Sequence, residues 1–161
     1  MASYFMPKDL EKIRAQALKT YQGFQTVNCP FLKQAINFTS EGLNHIRYRK
    51  ARKERHPEVQ KMRYLLIKFA KQIIEKSHTL QEHYSYPEFV EVKINKRRDK
   101  VLKQSHVWGF IAIMKGMKIK VLVKQQGQGL PKFWSIIPNW RTRKTQEGKT
   151  FQNYTGNPLE D

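Results

Sequence analysis

Apolar residues recur at helical spacing in the first half of the chain and alternate with polar ones in the second. Leu10, Ile13, Ala17 and Tyr21 form a stripe that predicts a helix over residues 8–21, with Pro7 and Asp9 suited to its start. Gly23 and Asn28-Cys29-Pro30 break that pattern. Phe31, Leu32, Ala35, Ile36 and Phe38 then predict a short strand near Ala35–Phe38. Thr39 or Ser40 can cap a following helix, which carries Leu43, Ile46 and the basic run Arg47–Arg55 and should end before Pro57. Pro57 suits a first-turn position. After it Val59, Met62, Leu66, Phe69 and Ile73 trace an amphipathic helix of roughly five to six turns. Lys61, Arg63, Lys68, Lys71 and Lys76 form its polar face.

Past residue 86 the period drops to two. Phe89–Ile94 reads as a strand, with Pro87 at its start, and Asn95–Asp99 as a turn. Val101–Met114 reads as one strand or a bent pair, with Gly109 as a bend or bulge. Lys115-Gly116 turns the chain into Lys118–Lys124. Residues 125–131 form a loop, and Phe133–Ile137 is a last strand stopped by Pro138. Helices followed by consecutive strands predict an α+β fold, with the helices on one face of a roughly four-stranded antiparallel sheet. The expected organisation is a helical arm over 1–30, a domain over 31–138 and a polar, loose tail over 139–161. In the third strand Ile119, Val121 and Val123 point to one face, and Lys118, Lys120 and Lys124 to the other. Such a sheet offers a lysine-studded face to phosphates.

Charge sharpens this picture. The 161 residues hold 31 Lys and Arg against 13 Asp and Glu, a formal net charge of +18. A field of that size attracts polyanions, nucleic acid first and an anionic membrane surface second. The 39% hydrophobic content supports a core. One cysteine, Cys29, excludes an internal disulfide and a thiolate-rich zinc site and fits a reducing cytoplasm. No signal-peptide pattern and no span-length apolar run occurs, so a cytoplasmic protein without membrane attachment is expected. No metal or cofactor signature is found, and Gly127 and Gly129 form no phosphate loop.

Candidate chemistry gathers between Phe38 and Arg55. Arg47-Tyr-Arg-Lys-Ala-Arg-Lys-Glu-Arg55 places six cations in nine residues. Arg49, Lys50 and Arg52 are candidate phosphate contacts, where the plainer alternative is a solvated basic face. His45 precedes this run. Neighbouring positive charge disfavours its protonation, so near neutrality it could act as acid or base, or simply fix the local fold. His106 is a second candidate, or an edge-strand polar residue. Lys132-Phe-Trp-Ser135 offers a lysine, a base-stacking aromatic in Trp134 and a hydroxyl suited to hydrogen-bonding a phosphate oxygen. Alternation puts at least one of Phe133 and Trp134 in the core. Glu88 and Glu91 read as salt partners for lysines.

Asn37–Arg47, Lys118–Lys124 and Phe133–Pro138 together resemble the barnase–EndoU–colicin–RelE superfamily of small metal-independent ribonucleases, especially its phage- and mobile-element-encoded members. The resemblance covers roughly residues 31–138. It implies RNA across an open sheet face and cleavage by attack of a 2′-hydroxyl on the adjacent phosphate. His45 would be the acid/base, Arg47 would stabilise charge on the phosphorane, and Ser135 and Lys124 would hold phosphate oxygens. Members often carry a further histidine shortly after the arginine, where this chain has Tyr48-Arg49-Lys50. His106 is the candidate replacement. The resemblance implies an RNA-binding protein, an endoribonuclease toxin or effector acting on tRNA or mRNA. A toxin this basic could be neutralised by an acidic immunity protein. The main alternative is a non-catalytic basic nucleic-acid-binding protein, for which the charge alone suffices.

Overall fold

The computed structural model describes residues 9–138, together with the backbone pairing of Thr142–Lys144 (β7) and Thr150–Gln152 (β8). The tail expected over 139–161 otherwise lies outside the described residues. Helix α1 (Leu10–Gln22) leads into a hairpin of β1 (Thr26–Cys29) and β2 (Gln34–Asn37). Helix α2 (Ser40–Arg47) follows, then α3 (Pro57–Leu66), a 3₁₀ turn at Ile67–Phe69, and α4 (Ala70–Glu75). Four long strands complete the order: β3 (Glu82–Ile94), β4 (Arg97–Met114), β5 (Met117–Gln126) and β6 (Lys132–Pro138).

The α+β class is as expected, and β3 to β6 form the expected antiparallel meander. The sheet is larger than four strands, however. The β1–β2 hairpin joins β6 in parallel through Asn37 and Lys132, giving a six-stranded mixed sheet in the order β1-β2-β6-β5-β4-β3. β1 is hidden in the sequence because Asn28 and the following Pro30 read as a break and it has only two inward positions, Val27 and Cys29. Residues 10–30 are no separate arm. Leu10, Ala17, Tyr21, Val27 and Cys29 belong to the same buried cluster as Phe110, Val121 and Ile136.

Two further boundaries differ. The basic run is not α-helical: α2 stops at Arg47, and residues 48–54 turn back through a 3₁₀ turn at Lys50–Arg52, so that Tyr48 bridges Glu54. The single helix expected from Pro57 is instead α3 and α4 joined without a gap by the 3₁₀ turn at Ile67–Phe69, and its inward stripe is shifted from the one the periodicity predicts. Val59 is 38% exposed, while Gln60, Arg63, Tyr64 and Ile67 are buried. The β3–β4 turn is only Asn95-Lys96, both in the left-handed region, which matches the twist of a two-residue hairpin. Pro87 lies inside β3, tolerated because β3 ends the sheet, where a missing N–H costs least.

Four aromatic rings join the layers on the helix side. Tyr21, Phe24, Phe38 and Phe133 meet at centroid distances of 5.1 to 6.4 Å, mostly edge to face. The Tyr21 hydroxyl also donates to the Thr39 carbonyl at 2.5 Å, just before α2. Burial pushes its pKa up, so it remains a donor.

Candidate nucleic-acid interface

Helix α2 lies against β6 because Gly42 lacks a side chain. A Cβ there would sit 2.7 Å from the Phe133 ring and the Tyr21 hydroxyl, and 2.8 Å from the Phe133 carbonyl. One helical turn later on the same face, His45 rests on Trp134, with ring centroids 4.4 Å apart. Trp134 can meet it because of a register shift between β5 and β6. Leu122 pairs with Ser135 but Val123 with Phe133, so Trp134 is the extra residue of a β-bulge. Phe133 is fully buried in the main core, as one of the two aromatics had to be, and Trp134 packs with Tyr84 and Tyr86 in a second, smaller cluster.

Two arginines reach the same group. Arg63 on α3 donates from Nη1 to the Ser135 hydroxyl at 3.1 Å, and Arg55 donates from Nε to the His45 carbonyl at 3.0 Å. Gln60 fixes this pair from behind. Its amide donates to the Arg55 carbonyl at 2.7 Å and its oxygen accepts from Arg14 at 3.1 Å. Arg55 and Arg63 are 6% and 3% exposed. Taking two guanidiniums out of water costs several kcal/mol even where each is bonded, so their burial here marks the spot chemically. His45, Trp134, Ser135, Arg55 and Arg63 thus combine an imidazole, a stacking ring, a hydroxyl and two planar cations. Arg55 and Arg63 were hidden within a basic run and a helix. The readable signal was Gln60, Arg63 and Ile67 at inward helical spacing.

Other candidates fall elsewhere. Arg47 turns to Glu54, its Nε 2.7 Å from the carboxylate, and lies 5.2 Å from the centre of the Tyr48 ring. The bonded carboxylate holds its pKa above the usual value. It is thus a loop clamp, with no contact to Ser135. His106 pairs in register with Gln125, the neighbour of Lys124, so alternation sends it to the opposite face of the sheet. It cannot complete a two-histidine site with His45. Arg49, Lys50 and Arg52 are exposed on the 48–54 turn, and Lys118 is exposed on β5. Lys132 pairs with Glu41 on α2 and keeps its Nζ 5.9 Å from the Trp134 centroid.

The lysine-studded face is a buried ionic layer instead. Lys120 is 0% and Lys124 2% exposed. Lys120 bonds Glu82 at 3.0 Å across Gly109 of the intervening strand, where a Cβ would lie 3.1 Å from that of Glu82. Gly109 therefore makes room for this pair, with its strand continuous through it. Lys124 bonds Glu88 at 3.1 Å and sits 4.2 Å from the centre of the Trp134 ring. Glu88 is the salt partner its sequence context suggested. Burial would raise its pKa, but bonds from Ser105, Lys124 and Gln126 outweigh that and hold it below the ordinary value. Lys124 reaches the site only from beneath Trp134, as a cation under a ring.

Among the described residues no three His, Cys, Asp or Glu side chains gather as a metal-binding group. No helix among them is long and apolar enough to cross a membrane. Compared with known proteins, the chain gives no significant match to a family model, a curated protein or a solved structure.

Proposed function

We propose that this chain is an RNA-binding protein of ribonuclease-like fold that cleaves RNA without a metal ion, as a toxin or effector of a phage or mobile element. The observation that carries the proposal is the joining of His45, Trp134, Ser135, Arg55 and Arg63 in one group. In this reading Trp134, held between His45 and Lys124, orients the imidazole. Ser135 and Arg63, 0% and 3% exposed, support it from behind without touching RNA, and the exposed Arg49 and Arg52 take the phosphates. His45 takes the proton of the 2′-hydroxyl as its oxygen bonds to phosphorus. The bond from phosphorus to the 5′-oxygen breaks, that oxygen takes a proton from solvent water, and His45 afterwards returns its proton to solvent. The products carry a 2′,3′-cyclic phosphate and a 5′-hydroxyl. The Arg49 and Arg52 guanidiniums act where negative charge builds on the phosphorane.

The test is incubation of the full chain with end-labelled RNA in chelator, followed by mapping of product ends. Cyclic phosphate ends are expected. His45→Ala should slow cleavage by about a hundredfold or more and leave RNA affinity within about threefold. A magnesium requirement, or cleavage that survives His45→Ala, refutes the mechanism. One observation favours a non-catalytic nucleic-acid-binding protein: the group holds a single imidazole, with Arg47 engaged by Glu54 and His106 on the other face. That reading expects binding without cleavage in the same assay.

A further inference from the structure

We infer that the long β3–β4 ribbon is a separate binding surface for single-stranded nucleic acid. Only the inner part of β4, from Ser105 to Met114, is paired with β5. The outer part, Glu88–Ile94 against Arg97–Lys103, is paired only within the ribbon, so it projects as a two-stranded arm about 20 Å long. Between Lys93 and Lys103 the arm carries six cations and one carboxylate. Charge complementarity therefore selects a polyanion.

The side chains on one face select its kind. Near the body of the sheet, His83, His106 and Trp108 hold their rings within 14° of parallel, at centroid distances of 5.4 to 5.7 Å. The two imidazoles meet through ring nitrogens 3.1 Å apart, so they present neighbouring π-surfaces on one face. Further out on the same face the cross-strand pair Phe89 and Leu102 is 69% and 57% exposed. Burial does not explain these two, and a large exposed apolar pair on a basic strand ribbon marks a contact surface. Beyond it stand Lys100 opposite Glu91, and Arg98 opposite Lys93.

The spacing favours a single strand over a duplex. Same-face rungs of a strand lie about 7 Å apart. That is about twice the 3.4 Å rise per nucleotide of a stacked duplex strand. Bases seated on successive rungs must be splayed from one another, which only a single strand allows. Rings take base faces without regard to sequence, and the cations follow the backbone. His106, unable to join His45, has its place here.

The inference rests on the nucleic-acid reading above but not on cleavage. Its test is fluorescence anisotropy of the full chain with labelled single-stranded oligouridine and with duplex RNA over a salt series. His83→Ala combined with Phe89→Ser should weaken single-strand binding about tenfold and change duplex binding less than twofold. Lys93→Gln, Arg98→Gln and Lys100→Gln together should reduce the slope of log affinity against log salt by about two. These side chains lie on a solvent-facing surface, and unchanged thermal unfolding separates lost contacts from lost fold. If the wild-type chain binds no RNA, the nucleic-acid reading falls as well. If it binds and both variant sets bind as the wild type does, only the ribbon inference is overturned. Polyglutamate competing as well as RNA of equal charge would overturn it in favour of an acidic protein partner.

Discussion

Two residues set the geometry around His45, and each can be tested alone. Gly42 permits the close approach of α2 to β6. Adding a methyl group drives it against the Phe133 carbonyl, which cannot swing away as a side-chain tip can. Gly42→Ala should cost about 2 kcal/mol by forcing α2 outward. The thermal midpoint should fall by roughly 4–8 °C, and cleavage should weaken with the loss of the His45–Trp134 contact. An unchanged midpoint would show that α2 is not held this tightly. Glu88 is the second. Its carboxylate neutralises Lys124 and accepts from Ser105 and Gln126. Glu88→Gln strands a buried ammonium and should cost about 2–4 kcal/mol. The pH dependence has a definite sign. The Glu88 pKa is depressed in the folded state, so its contribution is fully present above the unfolded value near ~4.3 and is lost as pH falls below it. Urea midpoints measured from neutral pH into acid should therefore fall less steeply for the variant than for the wild type.

At the scale of elements, the sheet serves two purposes along its length. Its inner part is covered by α2, α3 and α4 on one side and held by the Glu82–Lys120 and Glu88–Lys124 pairs on the other. Apart from Glu88 and Lys103 at its base, which meet β5 and Gly127, the outer ribbon pairs only within itself among the described residues, and its side chains beyond Val92 are exposed. Removing it should therefore leave the core intact. Replacing Val90–Val101 by Asn-Gly keeps Phe89 opposite Leu102 and reproduces the two-residue turn that Asn95-Lys96 makes farther out. The shortened chain should unfold within about 1 kcal/mol of the wild type, since the deleted pairs bury little. It should bind single-stranded RNA more weakly. A large loss of stability by urea titration would mean that the ribbon is structural.

For the whole molecule, the distribution of charge matters more than its total. The +18 includes Lys120 and Lys124, which are buried and neutralised, and Arg55 and Arg63, which are buried at the His45 group. Among the described residues, exposed cations are densest on the 48–54 turn and the ribbon, with Lys68, Lys71 and Lys76 exposed elsewhere. RNA affinity should thus fall steeply with salt, and substitutions at Arg49, Arg52, Lys93 and Arg98 should each flatten the slope by roughly 0.7. Lys124→Met should leave the slope unchanged while altering the unfolding midpoint. Had the lysine face been open, as the alternation of β5 alone implies, Lys124 would have behaved like Lys93.

The sequence by itself determined the α+β class, the main helices and the meander of the last strands, and its summed charge is what favours a polyanion partner. Each of these follows from local periodicity or summed charge, which needs no partner segment. It also brought out His45, Trp134 and Ser135 as residues to watch. Only the tertiary structure decided which charges are usable. Alternation shows that Lys120 and Lys124 share a face, but not that Glu82 and Glu88, some 36 to 38 positions earlier, lie across a strand to neutralise them. It shows the period of the α3 stripe, but packing chose the rotation that turns Arg63 onto Ser135. A bulge one residue wide set Trp134 between His45 and Lys124. Burial and pairing depend on what the fold brings next to a side chain, and that is written in contacts between distant segments rather than in either segment alone.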